Sequence, residues 1–257
     1  MNRTTMNDES RHIALSGAYN IRDLGGYRTG AGVLTQPRRL LRADSPHRLS
    51  TEDIDRLTGA GLRTVIDLRA RHEVADAPTR LVDIDGVDCL HLPLFDALAP
   101  ASIGADAPRP GADPLLGFYV RTLATRQAAL REVFQAIAAA PPGAVMFHCT
   151  AGKDRTGLVA ALALSVADVD EAEIVEDYAR TKVLIADLVA EFLDLARERG
   201  TDLAAYRRVL DCRPDTMRAV LDHLRDSYGS AGEYLTGIGI DRDGIDRLSA
   251  RLLAPEG

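Results

Sequence analysis

Hydrophobic positions in the 257-residue chain fall first into short blocks and later into helical spacing. Residues 38–43 (RRLLRA) fit an edge strand. Ser50, with Asp53 three residues on, fits the cap of a helix running through Ile54 and Leu57 and closed by Gly59 and Gly61. Residues 63–68 (RTVIDL) read as a buried strand. A second strand is expected over residues 89–94 (CLHLPL), with Pro93 marking its end. Residues 96–114 hold six alanines, four prolines and two glycines, which predicts a loop, either a lid or a surface insertion. Leu130, Val133, Phe134 and Ile137 then recur at amphipathic-helix spacing until Pro141, Pro142 and Gly143 stop the pattern. Residues 144–148 form a short apolar strand, and residues 158–166, apolar apart from Ser165, a buried helix. This alternation predicts an α/β layered fold with a largely parallel sheet.

The last third of the chain reads as helical throughout. Within residues 183–195 the polar positions are Asp187, Glu191 and Asp194, one narrow stripe. Such a helix is expected to be covered on most sides by the domain, the alternatives being a helical lid over a site or a dimer contact. One domain over residues 1–257 is expected, with a flexible N-terminus over residues 1–12 and a lid, if there is one, over residues 171–212.

Charge narrows the partners. With 31 basic against 38 acidic residues the net charge is -7, which argues against a general nucleic-acid binder but leaves room for a local basic pocket. Three cysteines, Cys89, Cys149 and Cys212, cannot form a closed disulfide set. The first residues lack an apolar signal core, and no apolar run reaches the roughly 20 residues needed to cross a bilayer. A cytoplasmic protein is the expectation, leaderless export staying open. Lys153 and Lys182 are the sole lysines, so each is a candidate for a chemical role.

The stretch His148-Cys149-Thr150-Ala151-Gly152-Lys153-Asp154-Arg155-Thr156-Gly157 lies between the apolar strand and the buried helix. A chain reversing there turns successive N–H groups inward, and the helix adds its positive end, a nest suited to a tetrahedral dianion. Cys149 at its base is placed where thiolates are stabilised, and such thiols are oxidation-prone. Arg155, six residues on, can fork two hydrogen bonds onto phosphate oxygens. Thr150 through Arg155 form the cradle, Thr156 can donate to the sulfur, and His148 is expected to order the loop. These parts fit phosphoryl transfer through a cysteinyl-phosphate, with no metal or cofactor. Spacing alone is not enough: Cys212 and Arg218 repeat it, but with Pro214, without glycine and without a preceding strand.

HCTAGKDRTG resembles the loop of the atypical bacterial tyrosine phosphatases. Residues 20–26 (NIRDLGG), 63–74 (RTVIDLRARHEV) and 227–230 (SYGS) are similar to further segments of that family. The resemblance implies a cysteine-phosphatase fold, late helices able to cover the site, and Asp154 as proton donor. Asp96, in the loop after a strand, is the competing acid, while Asp67 can orient Arg155 or tune the pocket. Lys153 is expected to add charge at the pocket rim. Lys182 either reaches the site or pairs with a surface acid. Candidate substrates are phosphotyrosine, phosphoserine or phosphothreonine in proteins, and phosphoinositides. The rival readings are a dedicated phosphoinositide phosphatase, a phosphate-binding module without turnover, and a sulfurtransferase.

Overall fold

The computed structural model describes residues 11–95 and 113–253. The segments expected as a flexible N-terminus and as a long loop, Asp96 included, lie almost wholly outside the described residues. Five strands form one sheet: β1 (Arg22–Asp23), β2 (Leu40–Ala43), β3 (Leu62–Asp67), β4 (Asp88–His91) and β5 (Ala144–His148). Their order is β1-β2-β5-β3-β4, all parallel except β1. The mostly parallel α/β architecture is therefore as expected. The strand expected at an edge is not at one, because β2 lies between β1 and β5. Arg42 on this inner strand finds its counter-charge inside the protein. The strand over residues 89–94 is also shorter than expected, since β4 stops before Pro93.

Side chains alternate across the sheet, as the two-residue period of a strand demands. Leu40, Ile66, Val145 and Phe147 face the larger core. Leu41, Val65 and Met146 face the smaller one, closed by Ile54 and Leu57 of α1 (Thr51–Gly59). Ser50 caps α1 and Asp53 returns the bond to the Ser50 N–H, so the expected cap is present. A short α2 (Arg71–Asp76) follows β3. Asp113 and Pro114 open α3 (Pro114–Thr125), a helix the sequence pattern had not revealed, and α4 (Gln127–Ala139) buries the predicted face.

From β5 the chain turns directly into α5 (Asp154–Val166), which is buried continuously from Arg155 to Leu164. The helix is thus held by packing along most of its length. Helices α6 (Glu171–Leu184), α7 (Ala186–Glu198), α8 (Leu203–Leu210), α9 (Pro214–Tyr228), α10 (Ala231–Gly237) and α11 (Arg242–Leu252) complete the fold. The apolar run over residues 183–195 is not one covered helix. It breaks at Ile185, leaves Val183 76% and Leu195 48% exposed, and of its residues within α7 buries only Leu188. Leu188 and Ile185 form a small third cluster with Ala151, joined by Phe192, and Leu188, Phe192 and Leu195 also line an open cleft. No described helix is long and apolar enough to cross a membrane.

A cluster of buried charge ties the N-terminal strands to α6. Asp177 accepts from Arg22 Nε at 3.1 Å, from Tyr27 Oη at 2.9 Å and from Arg42 Nη1. All four side chains are buried. Burial alone would raise the Asp177 carboxyl, but the charges of Arg22 and Arg42 outweigh it and hold it well below the carboxylate range. Removing one partner leaves uncompensated buried charge. Asp177→Asn should therefore lower unfolding stability by about 3–5 kcal/mol, read from the urea midpoint; a change under about 1 kcal/mol would contradict this placement.

Candidate active site

The loop from β5 to α5 is held from behind by its carbonyls. Thr150 O accepts from the Ser45 N–H at 3.1 Å. Ala151 O accepts from Asn20 Nδ2 at 2.9 Å, and Gly152 O from Asn20 Nδ2 at 3.2 Å and Arg42 Nη2 at 2.7 Å. In a trans peptide the C=O and the following N–H point in opposite directions. Tying three successive carbonyls outward therefore turns the N–H groups of Ala151, Gly152 and Lys153 to the other side, towards the cleft. Gly152 makes the turn possible: its φ is +65°, and a Cβ there would lie 2.6 Å from Ala43 O. Asn20 is itself fixed, its N–H bonded to Asp44 Oδ1 at 2.9 Å.

Cys149, 3% exposed, stands at the base of this loop on a cleft of about 600 Å3. Arg155 reaches the same cleft, but its fork faces Glu73. Nη1 donates to Glu73 Oε2 at 2.5 Å and Phe95 O at 3.0 Å; Nη2 donates to Glu73 Oε1 at 2.8 Å and Thr150 Oγ1 at 3.2 Å. The expected two-bond fork onto phosphate is thus not preformed from the two η nitrogens. Nε–H makes no bond among the described residues, and the Nη2–Thr150 bond, at 3.2 Å, is the long one. Burial would raise the Glu73 carboxyl, yet the hydrogen bonds and charge of Arg155, with Thr150, hold it down at about 2. Burial opposes the Arg155 charge, but Glu73 prevails and the guanidinium stays firmly protonated.

Of the two roles expected for Asp67, orienting Arg155 is not the one it takes. It accepts from Arg69 Nε at 2.9 Å and Nη2 at 2.6 Å, and Arg69 Nη1 continues to Ser45 Oγ at 2.9 Å. Asp67 therefore braces the loop entrance through Arg69 and Ser45, and Glu73 is the carboxylate on Arg155. His148 is fully buried and its Nδ1 lies 3.3 Å from Cys149 O, in keeping with an ordering role. Burial lowers its pKa to about 4 against the pull of Asp67, so it is neutral at pH 7. Thr156 Oγ1 is buried without a hydrogen-bond partner among the described residues, and the expected bond to the sulfur is not made.

Lys153 is not at the rim. Its side chain is 2% exposed, and Nζ donates to Asp154 Oδ1 at 2.7 Å and to Val209 O, at the end of α8, at 2.8 Å. Asp154 lines the cleft and also accepts from Tyr119 Oη at 2.5 Å. Lys182 pairs with Asp211 at 2.7 Å on the surface, the second of its two expected places. Cys89 and Cys212 are free thiols, each pushed up to about 11 by burial. Among the described residues no cluster of His, Cys, Asp and Glu could hold a metal. Sequence reasoning missed Glu73, Tyr119, Asn20 and Arg42. Of these, Asn20, Arg42 and Glu73 fell within segments that already stood out, and Tyr119 did not.

A model of the tyrosine phosphatase family matches residues 13–254. The chain is 35% identical to a tyrosine-protein phosphatase of Nostoc commune over 80% of its own length and 71% of the relative's. It is 31% identical to the triple specificity protein phosphatase PtpB of Mycobacterium tuberculosis, over 93% of this chain and 98% of that one. Pseudomonas-type TpbA (P. aeruginosa) is a distant structural likeness, at 20% identity over 65% of this chain and 83% of that one, with a TM-score of 0.29. The chain belongs to the tyrosine phosphatase family, and it is a protein-tyrosine phosphatase, an enzyme that acts on phosphorylated substrates.

The Glu73–Arg155 pair makes a pH-dependent contribution to stability. Because the folded pKa lies below the unfolded one, that contribution is complete above about pH 5 and is lost as pH falls through about 2. Glu73→Gln should cost about 1–2 kcal/mol at pH 7 after solvent screening. By pH 3 the gap between the urea midpoints of variant and wild type should have shrunk to less than half. A gap that stays constant with pH would contradict the assignment.

Proposed function

We propose that Cys149 is the nucleophile of this phosphatase, Arg155 the transition-state clamp and Asp154 the general acid. The observation that carries the reading is the outward anchoring of the carbonyls of Thr150, Ala151 and Gly152, the three residues that follow Cys149 on the same cleft. Amide donors fixed before substrate arrives need no reorganisation as charge gathers on the equatorial oxygens. The Cys149 thiolate forms the S–P bond while the P–O bond of the ester breaks, and the departing oxygen takes the Asp154 proton. Water then attacks phosphorus, gives a proton back to Asp154, and the S–P bond breaks to return the thiolate and inorganic phosphate. Asp96, the alternative acid, lies outside the described residues, whereas Asp154 lines the cleft.

The specificity we propose is broad: phosphotyrosine first, with phosphoserine or phosphothreonine and phosphoinositides also accepted. Support comes from the cleft of about 600 Å3, from Arg48 and Arg199 on its walls, and from a relative named as triple specificity. Lys153 lends the phosphoinositide reading no support, because its ammonium faces Asp154 and Val209 O.

Hydrolysis of a phosphotyrosine peptide, a phosphoserine peptide and a soluble phosphoinositide in EDTA tests this reading. Turnover of all three is expected, fastest on phosphotyrosine and reduced by at least about 1,000-fold in Cys149→Ser. Phosphate binding without turnover by the wild-type protein would mark a binding module. Hydrolysis confined to the phosphoinositide would mark a dedicated lipid phosphatase.

A further inference from the structure

Asp154 has a buried chain of hydroxyls behind it. Tyr119 on α3 is fully buried; its Oη lies 2.5 Å from Asp154 Oδ1 and 2.9 Å from Oη of Tyr178 on α6. A tyrosine hydroxyl carries one hydrogen. Lys153 Nζ, which can only donate, bonds to the same Oδ1 at 2.7 Å, so Oδ1 is the accepting oxygen of the carboxyl. Tyr119 accordingly spends its hydrogen on Asp154, and Tyr178 is the donor to Tyr119. Burial, reinforced by the Asp154 charge, pushes the Tyr119 hydroxyl well above its ordinary range, so it stays a donor at working pH.

The surrounding packing is built for this chain. The two rings meet edge to face, with centroids 6.3 Å apart and planes at 90°. Gly157 on α5 admits the Tyr178 ring, since a Cβ there would lie 3.1 Å from Tyr178 Cδ2. Tyr119 and Tyr178 come from separate helices, and neither belongs to the phosphate loop.

We propose that Tyr119, backed by Tyr178, is a positioning residue for the reaction: it joins Lys153 in occupying Asp154 Oδ1, so that the proton given to the leaving group resides on Oδ2. This rests on the assignment of Asp154 as the acid. The value of a positioned acid depends on the leaving group. A basic alkoxide or phenoxide needs its proton in the transition state, while 4-nitrophenoxide departs nearly unaided.

The test compares kcat/KM, which reads only the steps up to departure of the leaving group, on phenyl phosphate and 4-nitrophenyl phosphate. Both are measured well below the unfolding midpoint of each variant. Tyr119→Phe should lose about tenfold or more on phenyl phosphate and no more than about threefold on 4-nitrophenyl phosphate. Tyr178→Phe should show a smaller loss with the same preference. Equal losses of Tyr119→Phe on both esters, or a loss on neither, overturn the proposal. Asp154→Asn separates the two layers: if it shows the leaving-group dependence and Tyr119→Phe does not, the positioning role alone fails. If Asp154→Asn lacks that dependence, the acid assignment fails and takes the positioning role with it.

Discussion

A peptide plane has two polar ends, and a loop can offer its N–H groups to a dianion only if its carbonyls are satisfied elsewhere. The site depends on that constraint. The carbonyls of residues 150–152 find donors in the Ser45 N–H, the Asn20 amide and the Arg42 guanidinium, none of which belongs to the loop. Helix α5 is buried too thoroughly to shift, so the N–H groups, the helix end and the sulfur share one fixed frame.

Holding a guanidinium behind the loop has its own cost. A buried charge is worth several kcal/mol of desolvation unless it is paired and hydrogen-bonded. Arg42 is matched by Asp177, which also takes Arg22 and Tyr27, and Arg22 bonds in turn to Asn20. One carboxylate on α6 therefore pairs with both arginines, the one that braces the loop and the one on the N-terminal strand. Glu73 repeats the logic on the cleft side, where it aligns Arg155 and receives the Thr150 hydroxyl.

Local features of the sequence carried the parts of the fold that local physics decides. Ser50 and Asp53 make a cap by themselves, and the period of Leu130, Val133, Phe134 and Ile137 states which face is buried. The strand–loop–helix around Cys149 was legible because glycine, cysteine and arginine stood at informative spacing between two apolar runs. What failed was long-range. Arg42 looked like an edge residue because its partner Asp177 is 135 positions away. Lys153 looked like a rim cation because nothing nearby announces Val209 O, 56 positions on. Asp67 and Glu73 are both carboxylates near β3, and only the register of the sheet and the start of α2 decide which of them meets Arg155. The run over residues 183–195 misled for a related reason, since an apolar helix face can border an open cleft as readily as a core.

The central claim is that anchoring the carbonyls creates the anion site. It is tested most directly by the affinity for inorganic phosphate, measured by calorimetry in Cys149→Ser protein with and without Asn20→Ala. Asn20→Ala removes the amide from two loop carbonyls and leaves the cleft walls untouched. Phosphate is expected to bind at least about tenfold more weakly, about 1.4 kcal/mol, in a protein that still melts cooperatively. A folded Asn20→Ala variant that binds phosphate within twofold of its parent would contradict it.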